Sequence, residues 1–317
     1  MSGPIAVIIP VYNAAAFVGS AVASALAQHE TAEVVLVDDG STDGSLEVCQ
    51  ALVATHPTVR LLQSDGSAGR GPAAARNRGI VATVQPFVAF LDADDRYLPG
   101  RFADALPILL EDPGVAGVHQ ATVAEFVDPA AERAWFDRNR SRLIAVRGTL
   151  APGELVTALL RPEHGTVHLN ALLLRRAAVT ALGGFDERLP IGEDTDLLLR
   201  LAATSTLVAG PRSEPVAVRR VHLGSLTMAA PDAARRRGVQ LGLQRRLFHW
   251  ACSRGLDRAS LKAMAAAYLR QARRGAGATG KLARLSWFAL ALLDVARRAG
   301  AVALAPARRE TPLPPSA

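Results

Sequence analysis

The stretch Phe90-Leu-Asp-Ala-Asp-Asp95 decides both the fold and the chemistry that this sequence can support. An apolar run from Phe87 to Leu91 leads directly into it and is followed by three carboxylates in the next four residues. Unpaired carboxylates about 4 Å apart repel by roughly 4 kcal/mol at an effective dielectric of about 20, so such a cluster needs a cation or strong hydrogen-bond donors. The sequence therefore predicts a buried strand that ends at a cation-binding loop.

Three further apolar runs precede this one, and helix-like stretches lie between them. Short continuous apolar runs are typical of parallel strands that are covered on both faces. The predicted strands are 5–10, 34–37, 59–62 and 87–91, and the predicted helices are 14–27, 44–55 and 72–84. This order predicts an α/β fold with a doubly wound, mostly parallel sheet flanked by helices, in which ligands bind at the carboxyl ends of the strands.

Beyond the acidic loop the pattern is less regular. We expect a helix over 99–110, and Asp95 either caps this helix or has a direct role at the site. Residues 121–165 carry arginines among prolines and glycines without a clean period, so we expect a partly helical, mobile insertion there. The later elements that we expect are a strand over 115–119, a helix over 194–203 and a strand over 216–221.

Charge is distributed unevenly along the 317 residues of the chain. Residues 1–231 carry 19 basic and 25 acidic groups, whereas residues 232–317 carry 17 basic and 4 acidic groups. Segments of opposite sign suggest separate roles. We therefore divide the chain into a body over 1–231, a basic α-helical tail over 232–304, and a proline-rich C-terminus over 305–317 whose composition is typical of disorder.

The basic tail has two interpretations, and both fit an amphipathic helix. It packs on the body or on a second subunit, or it lies on an anionic membrane surface, where each arginine adds roughly 1 kcal/mol. The apolar run at 285–293 is shorter than the roughly 18 residues that a spanning helix needs. The tail also lacks a recognisable nucleic-acid-binding module, so we expect no nucleic-acid partner.

The cysteines and the N-terminus bear on the cellular compartment of the protein. Cys49 and Cys252 are too few for a disulfide framework and too isolated for a closely spaced zinc site. The N-terminus passes directly into a predicted strand without the charged start of a secretory signal. We therefore expect a cytoplasmic protein, with peripheral contact at the inner face of the cell membrane if the tail binds lipid.

Six motifs in order over roughly residues 4–225 resemble those of glycosyltransferase family 2, whose fold is called GT-A. They are Val7-Ile-Ile-Pro-Val-Tyr-Asn13, Leu36-Val-Asp-Asp-Gly-Ser-Thr-Asp43, Ala75-Arg-Asn-Arg-Gly-Ile80, Phe90-Leu-Asp-Ala-Asp-Asp95, Gly184-Phe-Asp-Glu187 and Gly192-Glu-Asp-Thr-Asp196. The resemblance implies a GT-A catalytic domain over 1–231, with a nucleotide-sugar half at about 1–120 and an acceptor half at about 121–231. It also implies transfer of a sugar from a nucleotide-diphosphate sugar, with a uridine donor favoured, to an acceptor hydroxyl with inversion.

The acidic loop suits the metal site that such a transfer requires. Mg²⁺ or Mn²⁺ prefers oxygen ligands and commonly keeps several waters, so one or two carboxylates suffice. By resemblance to the family's Asp-x-Asp motif, Asp94 is the metal ligand, and Asp92 contacts the donor ribose or the metal shell. His222 begins a His-x-x-Ser element that ends at Ser225, and it either touches the metal or diphosphate or has a structural role.

The donor nucleotide is expected near the ends of the first two strands. Pro10 and Tyr12 end strand one, where the Tyr12 ring can stack on the base, and Asp39 can accept a hydrogen bond from an imide N–H. The family pattern assigns Arg76 to the donor, and a guanidinium suits bidentate contact with phosphate or base. Asp194 resembles the family's general base, although the helix dipole favours a carboxylate at a helix N-terminus in any case.

Two other functions remain open. A nucleotidyltransferase on a related fold fits less well, because such enzymes usually carry a glycine-rich loop and a basic residue after strand one, where this chain has Tyr12-Asn13. A catalytically inactive sugar-nucleotide-binding or partner subunit is disfavoured by the intact Asp94 and Asp194. We expect a saccharide or lipid-linked acceptor, in cell-surface polysaccharide or glycolipid synthesis. If the protein forms an oligomer, we expect the tail to make the contact.

Overall fold

The computed structural model describes residues 3–63, 69–137, 139, 141–146, 150, 154–222, 233–274 and 291–298. The chain forms two compact units, Met1–Pro231 and Asp232–Ala317. The division falls where the basic tail begins in the sequence. The roles assigned above to the parts of the chain stay predictions.

Strands and helices alternate over the first four strands of the first unit, and their order is less regular after that. Its strands are β1 (Ile5–Val11), β2 (Thr31–Asp38), β3 (Val59–Leu62), β4 (Phe87–Phe90), β5 (Arg96–Tyr97), β6 (Val115–His119), β7 (Ala121–Phe126), β8 (Leu143–Ile144), β9 (Leu172–Arg175), β10 (Thr206–Ala209) and β11 (Pro215–Val221). Its α-helices are α1 (Val18–Leu26), α2 (Ser45–Thr55), α3 (Pro72–Ala82), α4 (Ala105–Glu111), α5 (Pro129–Phe136), α6 (Leu155–Leu159), α7 (Arg176–Ala181) and α8 (Glu193–Thr204).

A seven-stranded sheet in the order β10-β6-β9-β4-β1-β2-β3 forms the centre of this unit. Its neighbours pair in parallel except for β9, which runs antiparallel between β4 and β6. Odd-numbered residues of β1, from Ile5 to Val11, pack with α1, whereas Ala6 and Ile8 pack with α3 and α8. Both faces are thus covered, which is why β1 is a continuous apolar run. The predicted α/β class with a doubly wound, mostly parallel sheet is confirmed.

A second, four-stranded sheet in the order β5-β11-β7-β8 was not predicted. Strand β11 pairs antiparallel with β5 and parallel with β7, and β8 pairs antiparallel with β7. Two of these strands, β5 and β8, contain two residues each. Such short strands leave no period in the sequence, and they form only because distant segments meet in the fold. The segment expected as a partly helical insertion therefore also supplies two strands of a sheet.

The helix that we expected over 99–110 is wrong at its start. The chain makes turns from Pro99 to Asp104, with Gly100 at a φ of 71°, and α4 begins only at Ala105. Positive φ is accessible to glycine and strained for most other residues, so Gly100 favours a turn here. Asp95 therefore caps no helix, and of the two alternatives the direct role at the site is left.

The second unit contains the helices α9 (Ala233–Arg254) and α10 (Arg258–Arg273) and a helical segment at 291–298. Asp294 Oδ2 accepts hydrogen bonds from Arg245 Nε at 3.1 Å and from the Tyr268 hydroxyl at 3.2 Å, and it lies 2.7 Å from His249 Nε2. Burial opposes ionisation of Asp294, but His249 and Arg245 hold its pKa below the usual value. One carboxylate thus connects three helical segments of a basic unit.

Some predicted features fall outside the described residues. They are Ser225 of the His-x-x-Ser element, residues 285–290 of the apolar run, and the C-terminus at 305–317. Among the helices that are described, none combines the length and the apolar character needed to cross a membrane.

Close packing of α3 on β1 gives a test of the fold. A Cβ added to Gly79 would lie 2.4 Å from Ile8 Cγ2, in the fully buried centre of the sheet. We expect Gly79→Ala to lower the free energy of unfolding by about 1–3 kcal/mol, because an overpacked core must shift. Urea unfolding measures the change.

Gly19 in α1 is the matched control, because no atom lies within 4 Å of a Cβ added there. Gly19→Ala should leave the stability unchanged or raise it by up to about 1 kcal/mol, since alanine is the better helix former. Equal stability of the two variants would contradict close packing of α3 on β1 at Gly79.

Candidate active site

The loops that follow β1, β2 and β4 meet at one edge of the larger sheet. Strand β1 pairs in parallel with both β2 and β4, so the carboxyl ends of all three strands point the same way. Tyr12, Asp39 and Asp92 follow these ends, and the Tyr12 side chain is exposed, with 57% of its surface open to solvent. The structure therefore brings these predicted residues to the same edge. Pro10, the other predicted residue here, pairs with Val37 in the sheet and is partly buried.

Hydrogen bonds tie the loop after β1 to the loop after β2. The Asn13 amide N–H donates to Ser41 Oγ at 3.1 Å, and Asn13 Oδ1 accepts from the Thr42 amide at 2.8 Å. Asn13 itself has a φ of 49°, a conformation that asparagine tolerates better than most residues. The backbone beside Tyr12 is therefore fixed, so the Tyr12 ring projects from an ordered loop.

Asp39 organises the start of α3. Its carboxylate accepts the amide N–H of Gly71 at 2.7 Å and that of Arg70 at 3.2 Å. Asp39 is buried, and Gly71 precedes the first residue of the helix. The structure thus gives Asp39 a contact that the sequence did not suggest, and its predicted contact with a nucleobase stays a prediction.

The last carboxylate of the acidic loop, Asp95, is held from two sides. It is only 3% exposed, and it accepts hydrogen bonds from the Arg220 amide at 2.7 Å and from Asn170 Nδ2 at 2.6 Å. Burial and the charges of Asp94 and Asp92 raise the pKa of Asp95 well above its usual value, and the two donors oppose this shift. Asp95 therefore fastens the loop to β11 and to the segment before β9.

Asp94 faces the end of β11. Its Oδ2 lies 3.1 Å from His222 Nε2, and about a quarter to a third of each side chain is exposed. The His222 ring stacks on Phe17 with centroids 5.7 Å apart. Burial and the Asp92 charge raise the pKa of Asp94, and the hydrogen bond to His222 opposes this shift. The two predicted metal residues are thus brought together.

Arg76 joins the acidic loop to α8. Its Nη2 donates to Asp92 Oδ1 at 2.7 Å and its Nη1 donates to Glu193 Oε1 at 2.8 Å, from a side chain that is only 6% exposed. Burial opposes the charge of Arg76, but the two carboxylates outweigh it and raise its pKa. Burial likewise opposes ionisation of Asp92, yet Arg76 holds the pKa of Asp92 below its usual value. Arg76 therefore bridges the site internally, and its predicted contact with the donor stays a prediction.

The first turn of α8 carries three acidic residues with different surroundings. Glu193 pairs with Arg76, and buried Asp196 pairs with Arg200 at 2.6 Å. Asp194 is partly exposed, and its Oδ1 accepts from the Thr195 amide at 2.6 Å. Among the residues that the structure describes, Asp194 is thus the one of the three without an ion pair.

His168 is a site residue that the sequence did not indicate. One ligand atom each from Asp92, Asp95 and His168 lie within 4.8 Å of one another. His168 Nδ1 accepts the Asn170 amide N–H at 3.4 Å, and burial, followed by the Arg219 charge, lowers the pKa of His168 to about 4. The imidazole is therefore neutral at pH 7, the form that binds metals. No sequence signal marks His168, because it lies far from the acidic loop along the chain and outside every motif.

Comparison with solved structures defines the fold as GT-A. TarS 1-349 of S. aureus, solved in complex with UDP-GlcNAc, matches with a TM-score of 0.63 and 18% identity over 94% of this chain and 81% of that chain. The mannosyltransferase PcManGT of Pyrobaculum calidifontis, solved with GDP-Man and Mn²⁺, matches with a TM-score of 0.58 and 20% identity over 96% of this chain and 79% of that chain.

Sequence comparison then gives the family. Residues 6–161 match the model of Glycosyl transferase family 2. Succinoglycan biosynthesis protein ExoO of Rhizobium meliloti (strain 1021) is 34% identical over 263 residues, 76% of this chain and 71% of that protein. ExoU, a second succinoglycan biosynthesis protein of the same strain, is 37% identical over 202 residues, 63% of this chain and 57% of that protein. The chain belongs to glycosyltransferase family 2, as its motifs predicted, and it spans just over half the length of ExoU.

The double ion pair of Arg76 gives a stability prediction. Arg76→Met leaves two carboxylates without their cation, and removing one partner of a buried pair costs about 3–5 kcal/mol. Because the Asp92 side chain is 30% exposed, we expect a loss of about 3 kcal/mol at pH 7. Since Arg76 holds the pKa of Asp92 below its ordinary value of 3.8, the contribution of this pair is present above that value and is lost as the pH falls through the depressed pKa of the folded state, so the loss should be smaller at about pH 2.5.

Urea unfolding at both pH values measures these differences. Arg78→Met is the matched control, because Arg78 lies on the same helix, is less buried, and contacts the Gln63 carbonyl instead of a carboxylate. We expect it to change stability by no more than about 0.5 kcal/mol at either pH. A loss in Arg76→Met that does not depend on pH would contradict the ion-pair explanation.

Proposed function

We propose that this protein transfers a sugar from a nucleotide-diphosphate sugar to an acceptor hydroxyl, with inversion at the anomeric carbon. The observation that carries the proposal is the arrangement at α8, where ion pairs engage Glu193 and Asp196 while Asp194 is left to act as a base. Through Arg76, this helix end is joined to the acidic loop at the carboxyl edge of the sheet. A base and an acidic loop are thus parts of one connected site.

The donor is proposed to bind at the ends of β1 and β2, beside Pro10. An exposed tyrosine ring on a fixed loop suits stacking on a base, so Tyr12 is the proposed stacking surface. Asp39 is the proposed acceptor for an imide N–H, because a carboxylate has lone pairs beyond the two that it shares with backbone amides. TarS is described with UDP-GlcNAc and PcManGT with GDP-Man, which supports a sugar-nucleotide donor. We favour a uridine nucleotide on the family pattern.

The acidic loop fits a divalent cation. Burial, followed by like-charge crowding, raises the pKa values of Asp94 and Asp95, and a bound cation would relieve the crowding. Asp94 and His222 are the proposed ligands, because both are partly exposed, whereas both Asp95 oxygens already accept hydrogen bonds. The cluster of Asp92, Asp95 and His168 is the second candidate set. Bound there, Mg²⁺ or Mn²⁺ would offset the charge of a departing diphosphate.

Asp194 is proposed to take the proton of the acceptor hydroxyl. As that oxygen bonds to the anomeric carbon, the bond from this carbon to the donor diphosphate breaks and the nucleotide diphosphate leaves. Attack on the face opposite the leaving group inverts the centre. The names of ExoO and ExoU support a saccharide acceptor, free or lipid-linked, in polysaccharide synthesis. The cytoplasmic location and the membrane or protein partner of the tail stay predictions.

A donor screen followed by a transfer assay tests the function. We expect one or more sugar nucleotides, added with Mn²⁺, to raise the melting temperature of the protein. We expect the protein to hydrolyse the same donor slowly, and to cleave it faster when an acceptor extract is present. Asp194→Asn should bind the donor as wild type does and turn over about 10²–10⁴ times more slowly, because it removes the base. NMR of the product reports the anomeric configuration.

Glu47→Gln is the matched control, because Glu47 is an exposed acidic residue in the first turn of α2 and tests the loss of a helix N-terminal charge alone. It should keep full turnover. A wild-type protein that binds the nucleotide and never cleaves it would favour the non-catalytic subunit. Release of pyrophosphate during assembly of a sugar nucleotide would favour the nucleotidyltransferase.

Metal binding is tested at Asp94. We expect Mn²⁺ at 100 times its Kd to stabilise the wild type by about 2.7 kcal/mol and to stabilise Asp94→Asn far less. Without metal, Asp94→Asn should melt no lower than wild type at pH 7, since an acid whose pKa is raised by burial and by the Asp92 charge destabilises the fold when ionised.

Thermal unfolding with and without Mn²⁺ measures both effects. Asp104→Asn is the control, because the Asp104 side chain is 31% exposed and ion-paired, as exposed as that of Asp94 at 30%. It should keep the full Mn²⁺ shift. If Mn²⁺ stabilised Asp94→Asn as much as wild type, Asp94 would not be a ligand, and the cluster of Asp92, Asp95 and His168 would be the proposed metal site instead.

A further inference from the structure

A buried polar network supports the acidic loop, and Asn170 is its central residue. The Asn170 side chain has no exposed surface. Its Oδ1 accepts the Asp92 amide N–H at 3.3 Å and its Nδ2 donates to Asp95 Oδ2 at 2.6 Å. One side chain therefore ties the first carboxylate-bearing residue of the loop to the last.

The orientation of the Asn170 amide is set by its partners. Asp92 presents a donor and Asp95 an acceptor, so exchanging the oxygen and nitrogen of the amide would lose both hydrogen bonds. The Asn170 backbone is held as well, because its N–H donates to His168 Nδ1 at 3.4 Å and its carbonyl accepts from Arg101 Nε at 2.9 Å. Four contacts thus leave Asn170 little freedom.

Arg101 anchors this arrangement from within the core. It is fully buried, its Nη1 donates to Gln120 Oε1 at 3.0 Å, and its guanidinium lies over the rings of Tyr97 and Phe102 at 5.4 and 4.9 Å. In the described part of the chain, these contacts are all to neutral groups. A buried cation without a carboxylate partner is costly. Arg101 is linked to the acidic loop by way of Asn170.

We infer that Asn170, held by Arg101, is a positioning residue that shapes the acidic loop for cation binding. Asp95 is the carboxylate with the least contact to solvent, and Asn170 supplies one of its two donors. With Asp95 held inward, Asp92 and Asp94 remain partly exposed at the edge of the sheet. The inference rests on the proposed function, because it assigns the loop to a divalent cation.

Titration with Mn²⁺ alone, read from the loss of the free Mn²⁺ signal in electron paramagnetic resonance, tests the inference without any turnover. We expect Asn170→Ala to weaken Mn²⁺ binding by about 10–100-fold, the usual cost of losing a residue that orients metal ligands. Asn170→Ser retains one hydroxyl donor and should lose less. In the transfer assay, the half-saturating Mn²⁺ concentration should rise by the same factor while kcat at saturating Mn²⁺ stays within about threefold of wild type.

Asn139→Ala is the control, because Asn139 is a partly buried asparagine whose side chain contacts the Trp135 carbonyl. It should bind Mn²⁺ as wild type does. Wild-type Mn²⁺ affinity in folded Asn170→Ala and Asn170→Ser would overturn the inference, and so would a loss of kcat with unchanged affinity. Failure of both variants to fold would overturn it too, because Asn170 would then serve the fold itself.

The outcome is separable from that of the proposed function. A wild-type protein that binds Mn²⁺ and transfers no sugar would contradict the proposed function. The Mn²⁺ titration of the Asn170 variants would still decide the role of Asn170. A wild-type protein that binds no Mn²⁺ at all would overturn the inference, whether or not it transfers sugar.

Discussion

The buried guanidinium of Arg76 is the interaction on which the rest of the site depends. It pairs with Asp92 at the end of β4 and with Glu193 at the start of α8, and so it joins two segments that are distant along the chain. Taking three charges out of water is costly, and the cost is offset only when each charge has a well-placed partner. The two ion pairs of Arg76 therefore fix the position of the acidic loop relative to the N-terminus of α8.

Each of the three crowded carboxylates after β4 has a different stabilising neighbour. Asp92 is paired with Arg76, Asp94 lies beside His222, and Asp95 accepts hydrogen bonds from Asn170 and from the backbone of β11. Each neighbour offsets part of the repulsion, and burial together with the remaining carboxylate charge still raises the pKa values of Asp94 and Asp95. The loop is thus held in shape by the protein, and its remaining negative charge is what the proposed cation would offset.

Much of the fold could be predicted because β1, β4 and residues 34–37 of β2 are continuous apolar runs covered on both faces. Part of the site could be predicted because Asp94 and Asp194 stand within motifs. Other features depend on tertiary contacts. The strands β5 and β8 are two residues long and exist only as partners of β11 and β7. His168 and Asn170 lie outside every motif and reach the loop only through the position of β9 beside β4. A helix cap and a direct role both stayed open for Asp95, because its partners, Asn170 and the Arg220 backbone, come from segments that are distant along the chain.

Strand β11 has a consequence beyond its own sheet. Its residue Arg220 holds Asp95 through a backbone N–H, the chain then passes directly to His222 beside Asp94, and its long edge is paired with β7. A shift of the small sheet would therefore move two neighbours of the acidic loop together. Substitutions in the irregular region after β6 would in this way act on the shape of the acidic loop from a distance, without changing any of its carboxylates.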